Sequence, residues 1–270
     1  TLTYVLAVEE LSRVCGTTGV IVSAHTSLAT GAIDSKGTAE QKEKYLRALN
    51  TDKLGAFALT EPDAGTDAGS QRTTAILDGD EYVLNGSKIF ITNAGPADIY
   101  VVFAMTDASQ GTRGISTFIV EKGTPGFDFG LAEKKMGIRG SSTRELIFND
   151  CHIPKENLLG REGKGFGLAM ATLDGGRIGI AAQAVGLAQG ALDKTIAYVK
   201  ERKQFGRSIS KFQNTQFQIA NMATELESAR YLTYLAAVKK DSGERYSYEA
   251  AMAKLKASRT ANYVSSMAVQ

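Results

Sequence analysis

Between Gly55 and Phe148 the chain passes through short segments rich in β-branched and aromatic residues. Nowhere among them is there a ten-residue stretch of helical periodicity. Residues 55–60 form an apolar run that stops at Glu61-Pro62. Residues 72–77 and 81–84 flank Asp78-Gly79, a tight-turn dipeptide, and Asn85-Gly86 reads as a further turn. Residues 88–92, 99–105, 115–121 and 144–148 complete the series. Strands at this spacing, with no crossover helices between them, predict a β-barrel or sandwich and argue against a doubly wound parallel sheet.

The flanks carry a different period. The first fifty residues show no alternation, and residues 39–49 read as a charged amphipathic helix with Tyr45, Leu46 and Leu49 on one side. From about Gly165 onward, Ile178, Ala181, Val185, Ala188, Leu192, Ile196 and Val199 step by three or four and form one apolar stripe of a long helix. Ile219, Met222, Leu226, Ala229 and Ala236 mark a second helix, and Ala250, Ala253, Ala257, Ala261, Val264 and Ala268 a third. The expected fold is therefore α+β and multi-domain: a helical N-terminal portion (1–54), a middle β-barrel (55–154) and a C-terminal helical bundle (155–270). The chain begins at Thr1 rather than Met, and its third helix reaches Gln270 without a stop signal, as expected of a piece of something longer.

Composition removes several classes of function. With 43% hydrophobic and 22% charged residues the chain has material for a core, which disorder lacks. No run of eighteen uncharged apolar residues is present, so no membrane span is expected. Lys and Arg number 31 against 29 Asp and Glu, and the basic pairs are interleaved with acids, which is not the footprint of a nucleic-acid binder. Cys15 and Cys151 are far apart, and His25 and His152 are the only histidines, so neither a disulfide scaffold nor a metal site is expected. Residues 1–10 lack a secretory signal, and the expected setting is the bacterial cytoplasm or, second, a mitochondrial matrix.

Three segments carry candidate chemistry. In Leu59-Thr-Glu-Pro-Asp-Ala-Gly-Thr-Asp67, Pro62 fixes φ, Gly65 permits close approach, and Thr60 and Thr66 offer hydroxyls. Such a loop either presents donors to a phosphate or heterocycle, or is an ordinary strand exit. In Phe90-Ile-Thr-Asn93, Phe90 either stacks on a planar ring or sits in the core, with Thr92 beside it. Asp174-Gly-Gly-Arg177 interrupts or opens the long helix. Each glycine there costs roughly 1 kcal/mol against alanine, so close approach of a ligand or partner helix is expected. Arg177 pairs with Asp174 one turn away, or either binds a polar ligand. Residues 202–206 read as a helix C-terminus with Gly206 as the cap. His25 and His152 have no visible partners and read as structural.

Taken in order, Leu59-Thr-Glu-Pro with Gly65-Thr-Asp67, Asn85-Gly-Ser-Lys-Ile-Phe-Ile-Thr-Asn93, Lys135-Met-Gly-Ile-Arg139 with Ser142-Thr-Arg-Glu-Leu146, Gly163-Lys-Gly-Phe166, Leu173-Asp-Gly-Gly-Arg-Ile-Gly179 and Arg202-Lys-Gln-Phe-Gly206 resemble the acyl-CoA dehydrogenase family, and most of all its short-chain, butyryl-CoA members. The resemblance covers essentially the whole chain. It implies FAD as cofactor, bound by Phe57, Leu59, Thr60, Gly65, Thr66, Phe90, Ile91 and Thr92, with Thr92 near flavin N5. It implies acyl-CoA contacts from Thr66, Asp174 and Arg177. Arg202 and Gln213 would reach the FAD of a neighbouring subunit, implying a homo-oligomer (a homotetramer, as a dimer of dimers) that passes electrons to an electron-transferring flavoprotein.

The implied reaction is α,β-dehydrogenation of a short-chain acyl-CoA to the trans-2-enoyl-CoA. One part is missing. The family base is a Glu on a Tyr-Glu-Gly loop after the third bundle helix, and no such motif occurs here, so the base is expected beyond Gln270. Some relatives carry it one residue before the arginine matched by Arg177, where this chain has Gly176. An oxidase that uses oxygen, and a non-catalytic flavin- or CoA-binding scaffold, stay open as alternatives.

Overall fold

The structure, a computed structural model, describes residues 1–270. The chain forms two compact units, one of residues 24–173 and one of residues 1–23 with 174–270. No helix is long and apolar enough to cross a membrane.

In the first unit, a π-helical stretch (Ala24–Thr30) leads into α3 (Gly31–Lys36). Then α4 (Ala39–Gln41), a π-helical turn (Lys42–Leu46) and α5 (Arg47–Leu49) follow. The α4 start is a capping box: Thr38 accepts from the Gln41 N–H, and the Gln41 side chain accepts from the Thr38 N–H. Seven strands then form one curled sheet: β1 (Gly55–Ala58), β2 (Thr74–Asp78), β3 (Glu81–Thr92), β4 (Ile99–Met105), β5 (Ile115–Glu121), β6 (Phe127–Ala132) and β7 (Thr143–Pro154). The strand order is β1-β4-β2-β3-β7-β6, with β5 also paired to β4. β1 and β2 run parallel to β4, and every other pairing in this sheet is antiparallel.

β4 and β5 lie where the sequence places them and are buried along almost their whole length. Their two faces serve two cores. Ile99, Val101, Phe103, Ile115 and Ile119 pack with Ala29, Ala32, Ile33, Tyr45 and Leu49 of the helical lead-in. Tyr100, Val102, Ala104, Phe118 and Val120 face the other way, into the curl of the sheet, with Tyr82, Leu84, Phe127 and Phe148. Burial on both faces explains why these strands read as continuous apolar runs.

Three expectations change here. Asn85-Gly86 does not reverse the chain: β3 runs straight through it, with a register shift between Leu84 and Gly86. Gly86 has φ 139°, and a Cβ there would lie 2.7 Å from Thr73 Cα. The Asn85 side chain bridges the irregularity, accepting from the Asp150 N–H at 2.8 Å and donating to Asp150 Oδ1 at 3.1 Å. Second, β7 is twelve residues long because it follows β3 for most of that strand's length. Third, β6 escaped the sequence reading. Only Phe127 of this strand is buried, and Asp128 and Gly130 dilute its pattern.

In the second unit, α1 (Leu2–Val14) and α2 (Gly16–Ser23) join the long helices α6 (Gly165–Glu201, from residue 174 onward), α7 (Gln213–Asp241) and α8 (Ser247–Val269). α6 has 37 residues and so spans about 55 Å. It runs unbroken through Asp174-Gly-Gly-Arg177, so those glycines do not interrupt or open a helix. Its expected stripe is the core: Ile178, Ala181, Val185, Ala188, Leu192 and Val199 are buried, with Met222, Leu226, Ala229 and Ala236 of α7 and Ala250, Ala253, Ala257 and Val264 of α8. Small residues at these positions let helix backbones approach closely. α1 is tied to the bundle by a polar cluster as well. Arg230 Nε donates to Glu9 Oε1 at 2.9 Å, the Tyr234 hydroxyl donates to Glu9 Oε2 at 2.8 Å, and Arg230 Nη2 donates to Gln189 Oε1 at 2.6 Å.

Gly186 and Gly190 of α6 face the α1 backbone. A Cβ at Gly186 would run into the Glu9 carbonyl oxygen and sit 3.0 Å from the Arg13 nitrogen. Helix propensity favours alanine over glycine by about 1 kcal/mol, whereas overpacking costs about 1–3 kcal/mol. Gly186→Ala is therefore expected to lower the urea midpoint. Gly167→Ala in the same helix, where nothing lies within 4 Å, is expected to leave it unchanged or raise it.

Candidate functional site

The site begins where β1 ends. Glu61 and Ala64 exchange two backbone hydrogen bonds of 3.1 Å, so Pro62 and Asp63 form a tight turn directly after Thr60. The exit segment lies against the end of β3: the Ile89 N–H donates to the Thr60 carbonyl at 2.9 Å, and Asn93 Nδ2 donates to the Gly55 carbonyl at 3.1 Å. The Asn93 N–H donates to the Ser142 carbonyl at 2.9 Å, and Ser142 Oγ donates to the Ala94 carbonyl at 2.7 Å. Two sequence-distant segments, 57–61 and 89–93, thus form one surface.

An extra residue shapes that surface. Lys88 pairs with Leu146 and Ile91 with Arg144, so three steps on β3 match two on β7. This is a β-bulge, and Phe90 within it has φ 58°. The bulge changes the phase of the strand. Tyr82, Leu84 and Lys88 point inward before it and Ile91 after it, while Phe90 turns outward and is 61% exposed. A bulky residue at positive φ is unusual, and exposing a phenyl ring is costly as well. Of the two readings of Phe90, the structure rejects the core. Ile91 is the reverse: its side chain is 2% exposed and belongs to the core.

Beneath the surface lies a buried ion pair. The Lys88 ammonium donates to Glu61 Oε1 at 2.6 Å, Gln71 Oε1 at 2.9 Å and the Leu59 carbonyl at 3.2 Å. Glu61 also accepts the Arg72 N–H at 2.6 Å and the Thr73 N–H at 3.1 Å. Burial pulls the Lys88 ammonium down to about 8 against the attraction of Glu61, so it stays charged at neutral pH. Burial alone would raise the Glu61 carboxyl, but the Lys88 charge and the hydrogen bonds outweigh it and hold the carboxyl below its ordinary value.

Thr60 is half-buried, and neither its N–H nor its hydroxyl has an acceptor within the chain; Thr92, also half-buried, keeps its hydroxyl free. An exposed aromatic face beside unused donors, on a rigid base, suits a flat heterocycle with a polar edge, which is the character of a flavin. Phe57 is half-buried with its ring 4.9 Å from that of Phe103, and Leu59 is buried, so both support the site from behind. Gly65 and Thr66 are exposed beyond the turn.

The remaining candidates lie in the other unit. Arg177 bonds Asp174 one turn away, as one of the two readings expects, and Ser247 Oγ at the start of α8 also bonds Asp174. At Gly175 an added Cβ would lie 2.8 Å from Lys240 Nζ of α7, the end of a flexible side chain that can yield, so this contact alone does not require glycine. Gly206 is not a helix cap. α6 ends at Glu201, and Lys203-Gln204 (β8) pair with Arg207-Ser208 (β9) as a hairpin. Phe205 and Gly206 form its turn at φ 52° and 75°, the positive values of a type I′ turn. Arg207 lies 4.2 Å over the Phe212 ring, and the exposed residues Arg202 and Gln213 flank the hairpin. Neither histidine is without a partner: the Gly55 N–H donates to His25 Nδ1 at 3.0 Å, and His152 Nδ1 lies 3.0 Å from Glu81 Oε2. Sequence reasoning missed Glu61, Gln71 and Lys88 as a group. The available signal was a lysine in inward phase with Tyr82 and Leu84.

The fold and these motifs define a class: the chain belongs to the acyl-CoA dehydrogenase family. The family's N-terminal domain model matches residues 1–53, its middle domain 56–151 and its C-terminal domain 163–270. Among curated proteins, the chain is 60% identical over 270 residues to the short-chain specific acyl-CoA dehydrogenase of Clostridium acetobutylicum, covering 100% of this chain and 71% of that protein. Among solved structures, butyryl-CoA dehydrogenase from Megasphaera elsdenii is 54% identical with a TM-score of 0.98, over 99% of this chain and 70% of that one. A chain solved in work on the electron transferring flavoprotein of Acidaminococcus fermentans is 62% identical with a TM-score of 0.99, over 99% of this chain and 71% of that one.

Lys88→Met leaves the Glu61 carboxylate buried without its partner, a change that typically costs about 3–5 kcal/mol. The Glu61 carboxyl sits below its ordinary 4.5 in the fold, so its contribution is complete above that pH and is lost as pH falls through the lowered value. Urea unfolding between pH 3 and 7 checks both points. The wild type is expected to lose stability on the acid side more steeply than the Glu61→Gln/Lys88→Met double variant.

Proposed function

We propose that this chain carries the flavin- and substrate-binding parts of an FAD-dependent dehydrogenase acting on short-chain acyl-CoA thioesters. One observation carries the reading: Phe90 is turned outward by a β-bulge, beside the unused donors of Thr60 and Thr92. When bound, FAD supplies the acceptor for the hydride that leaves Cβ while a proton leaves Cα, giving the trans-2-enoyl-CoA. The chain's own residues bind and orient. Phe57, Leu59, Thr60, Gly65, Thr66, Phe90, Ile91 and Thr92 hold the flavin, Ile91 through its backbone and its buried anchor. The Thr92 hydroxyl would serve as a hydrogen-bond donor to the flavin, whose N5 gains negative charge on reduction. Asp174, steadied by Ser247, and Arg177 contact acyl-CoA. No residue here matches the family's base, and Gly176 beside Arg177 cannot take a proton.

By function the chain divides into residues 1–54, 55–154 and 155–270. Arg202 and Gln213 reach a neighbour's FAD in a homotetramer; exposed Phe217, Tyr231, Leu235 and Tyr248 on α7 and α8 support an assembly. Electrons pass to an electron-transferring flavoprotein, a partner supported by the Acidaminococcus likeness. A bacterial cytoplasmic setting goes with this reading.

Anaerobic addition of butyryl-CoA tests the proposal: the yellow band of the full-length protein is expected to bleach without oxygen consumption. Oxygen uptake would instead identify an oxidase, and an unbleached yellow protein a binding scaffold. Thr92→Ala is expected to slow flavin reduction by about 1 kcal/mol of barrier, fitting one lost hydrogen bond. Arg202→Ala is expected to weaken FAD retention and loosen the oligomer together. A flavin-replete monomer in sedimentation would contradict this role.

A further inference from the structure

The Lys88–Glu61 pair has more structure than stability requires. An apolar pair of similar volume commonly serves a core as well as a buried ion pair does. Here all three ammonium protons and both carboxylate oxygens are engaged, and the partners share a location. Leu59 and Glu61 are the two neighbours of Thr60 in the chain, and Lys88 is two residues before Phe90.

The consequence for Thr60 follows from peptide geometry. In a trans peptide the C=O and N–H point in opposite directions. Lys88 holds the Leu59 carbonyl inward, so the Thr60 N–H on the same peptide is directed away from the buried ammonium. The next peptide is held through the Thr60 carbonyl, which accepts from the Ile89 N–H. With both flanking peptide planes fixed, the Thr60 N–H has one available direction, and its hydroxyl is carried on the same anchored backbone. On β3, Lys88 anchors the start of the bulge and Ile91, buried in the core, anchors its end. Phe90 between them is presented outward.

We infer that Lys88 and Glu61 are positioning residues for the flavin ring, setting the Thr60 donors and the Phe90 face together from below. This rests on the FAD reading above. The pair also polarises. A charged donor on the Leu59 carbonyl strengthens the dipole of that peptide, and so makes the Thr60 N–H a better donor to an electron-rich ring. The reduced flavin carries more negative charge than the oxidised form, so the pair favours reduction. Losing it makes the bound flavin harder to reduce.

The experiment compares the full chain with Glu61→Gln, Lys88→Met and Gln71→Leu. FAD affinity is measured by fluorescence quenching, the visible flavin spectrum by absorption, the two-electron potential by dye equilibration, and folding of the apoprotein by thermal unfolding. Glu61→Gln keeps the size and reach of the side chain and is expected to fold, to bind FAD about tenfold or more weakly, and to shift the potential to more negative values. Gln71→Leu removes one acceptor and leaves the pair, and is expected to show the same shifts, smaller. Should Lys88→Met fail to fold, these two variants decide the matter. Folded variants with wild-type FAD affinity, spectrum and potential, and only a lower melting temperature, would overturn the inference and leave the FAD reading intact. Full-length wild-type protein that takes up no FAD overturns both.

Discussion

Strands β4 and β5 are buried on both faces, and each face must be covered by something apolar. The helical lead-in supplies one cover through Ala29, Ile33, Tyr45 and Leu49. The other cover is the sheet itself, curled so that Tyr82, Leu84, Phe127 and Phe148 meet Tyr100 and Phe118. Phe127 stacks on Phe148 at 5.0 Å with the rings 3° from parallel, so even the outermost strand β6 is held by this interior. The site follows from the arrangement. β1 pairs with β4 and leaves it at Leu59, and the curl brings β3 back beside that exit. One extra residue in β3 then turns a phenyl ring out of the core.

The largely buried charged groups Lys88, Glu61, Glu9 and Arg230 are satisfied in compact networks. Lys88 with Glu61 and Gln71, and Arg230 with Glu9 and Gln189, each join segments far apart in sequence. An unpaired charge at either place would be costly, so each network specifies one arrangement of its segments. In the helical unit, alanine and glycine do complementary work. They give up side-chain burial but let α1 and the long helices approach at backbone distance, which recovers dispersion contacts along the whole stripe.

Much of this was legible because the signals were local. β4 and β5 announce themselves as β-branched and aromatic runs between turn residues. The stripe from Ile178 to Val199 has a period no strand can match. The misreadings share a cause. Asn85-Gly86 is a strong turn dipeptide in isolation, but β2 and β7 hold the strand straight from either side. Gly206 near a helix end suggests a cap, yet Phe205 beside it also takes positive φ because the two pairs around them close a hairpin. β6 is strand-like only because β7 offers it a ladder. The histidines looked unpartnered because Gly55 and Glu81 are distant in sequence.

The amino-acid sequence by itself determined the order of helical, β and helical segments, the apolar faces, and the motifs that identify the family. These depend on side-chain period and local backbone preference, which are written residue by residue. Tertiary structure alone decided that Phe90 faces outward while Ile91 is buried, that Lys88 lies inside with Glu61 and Gln71, and that Thr60 keeps two free donors. Each of these depends on pairing register and on hydrogen bonds across dozens of residues. A single extra residue between two paired strands reverses which side chains face the core, and that register is set only when β7 lies against β3.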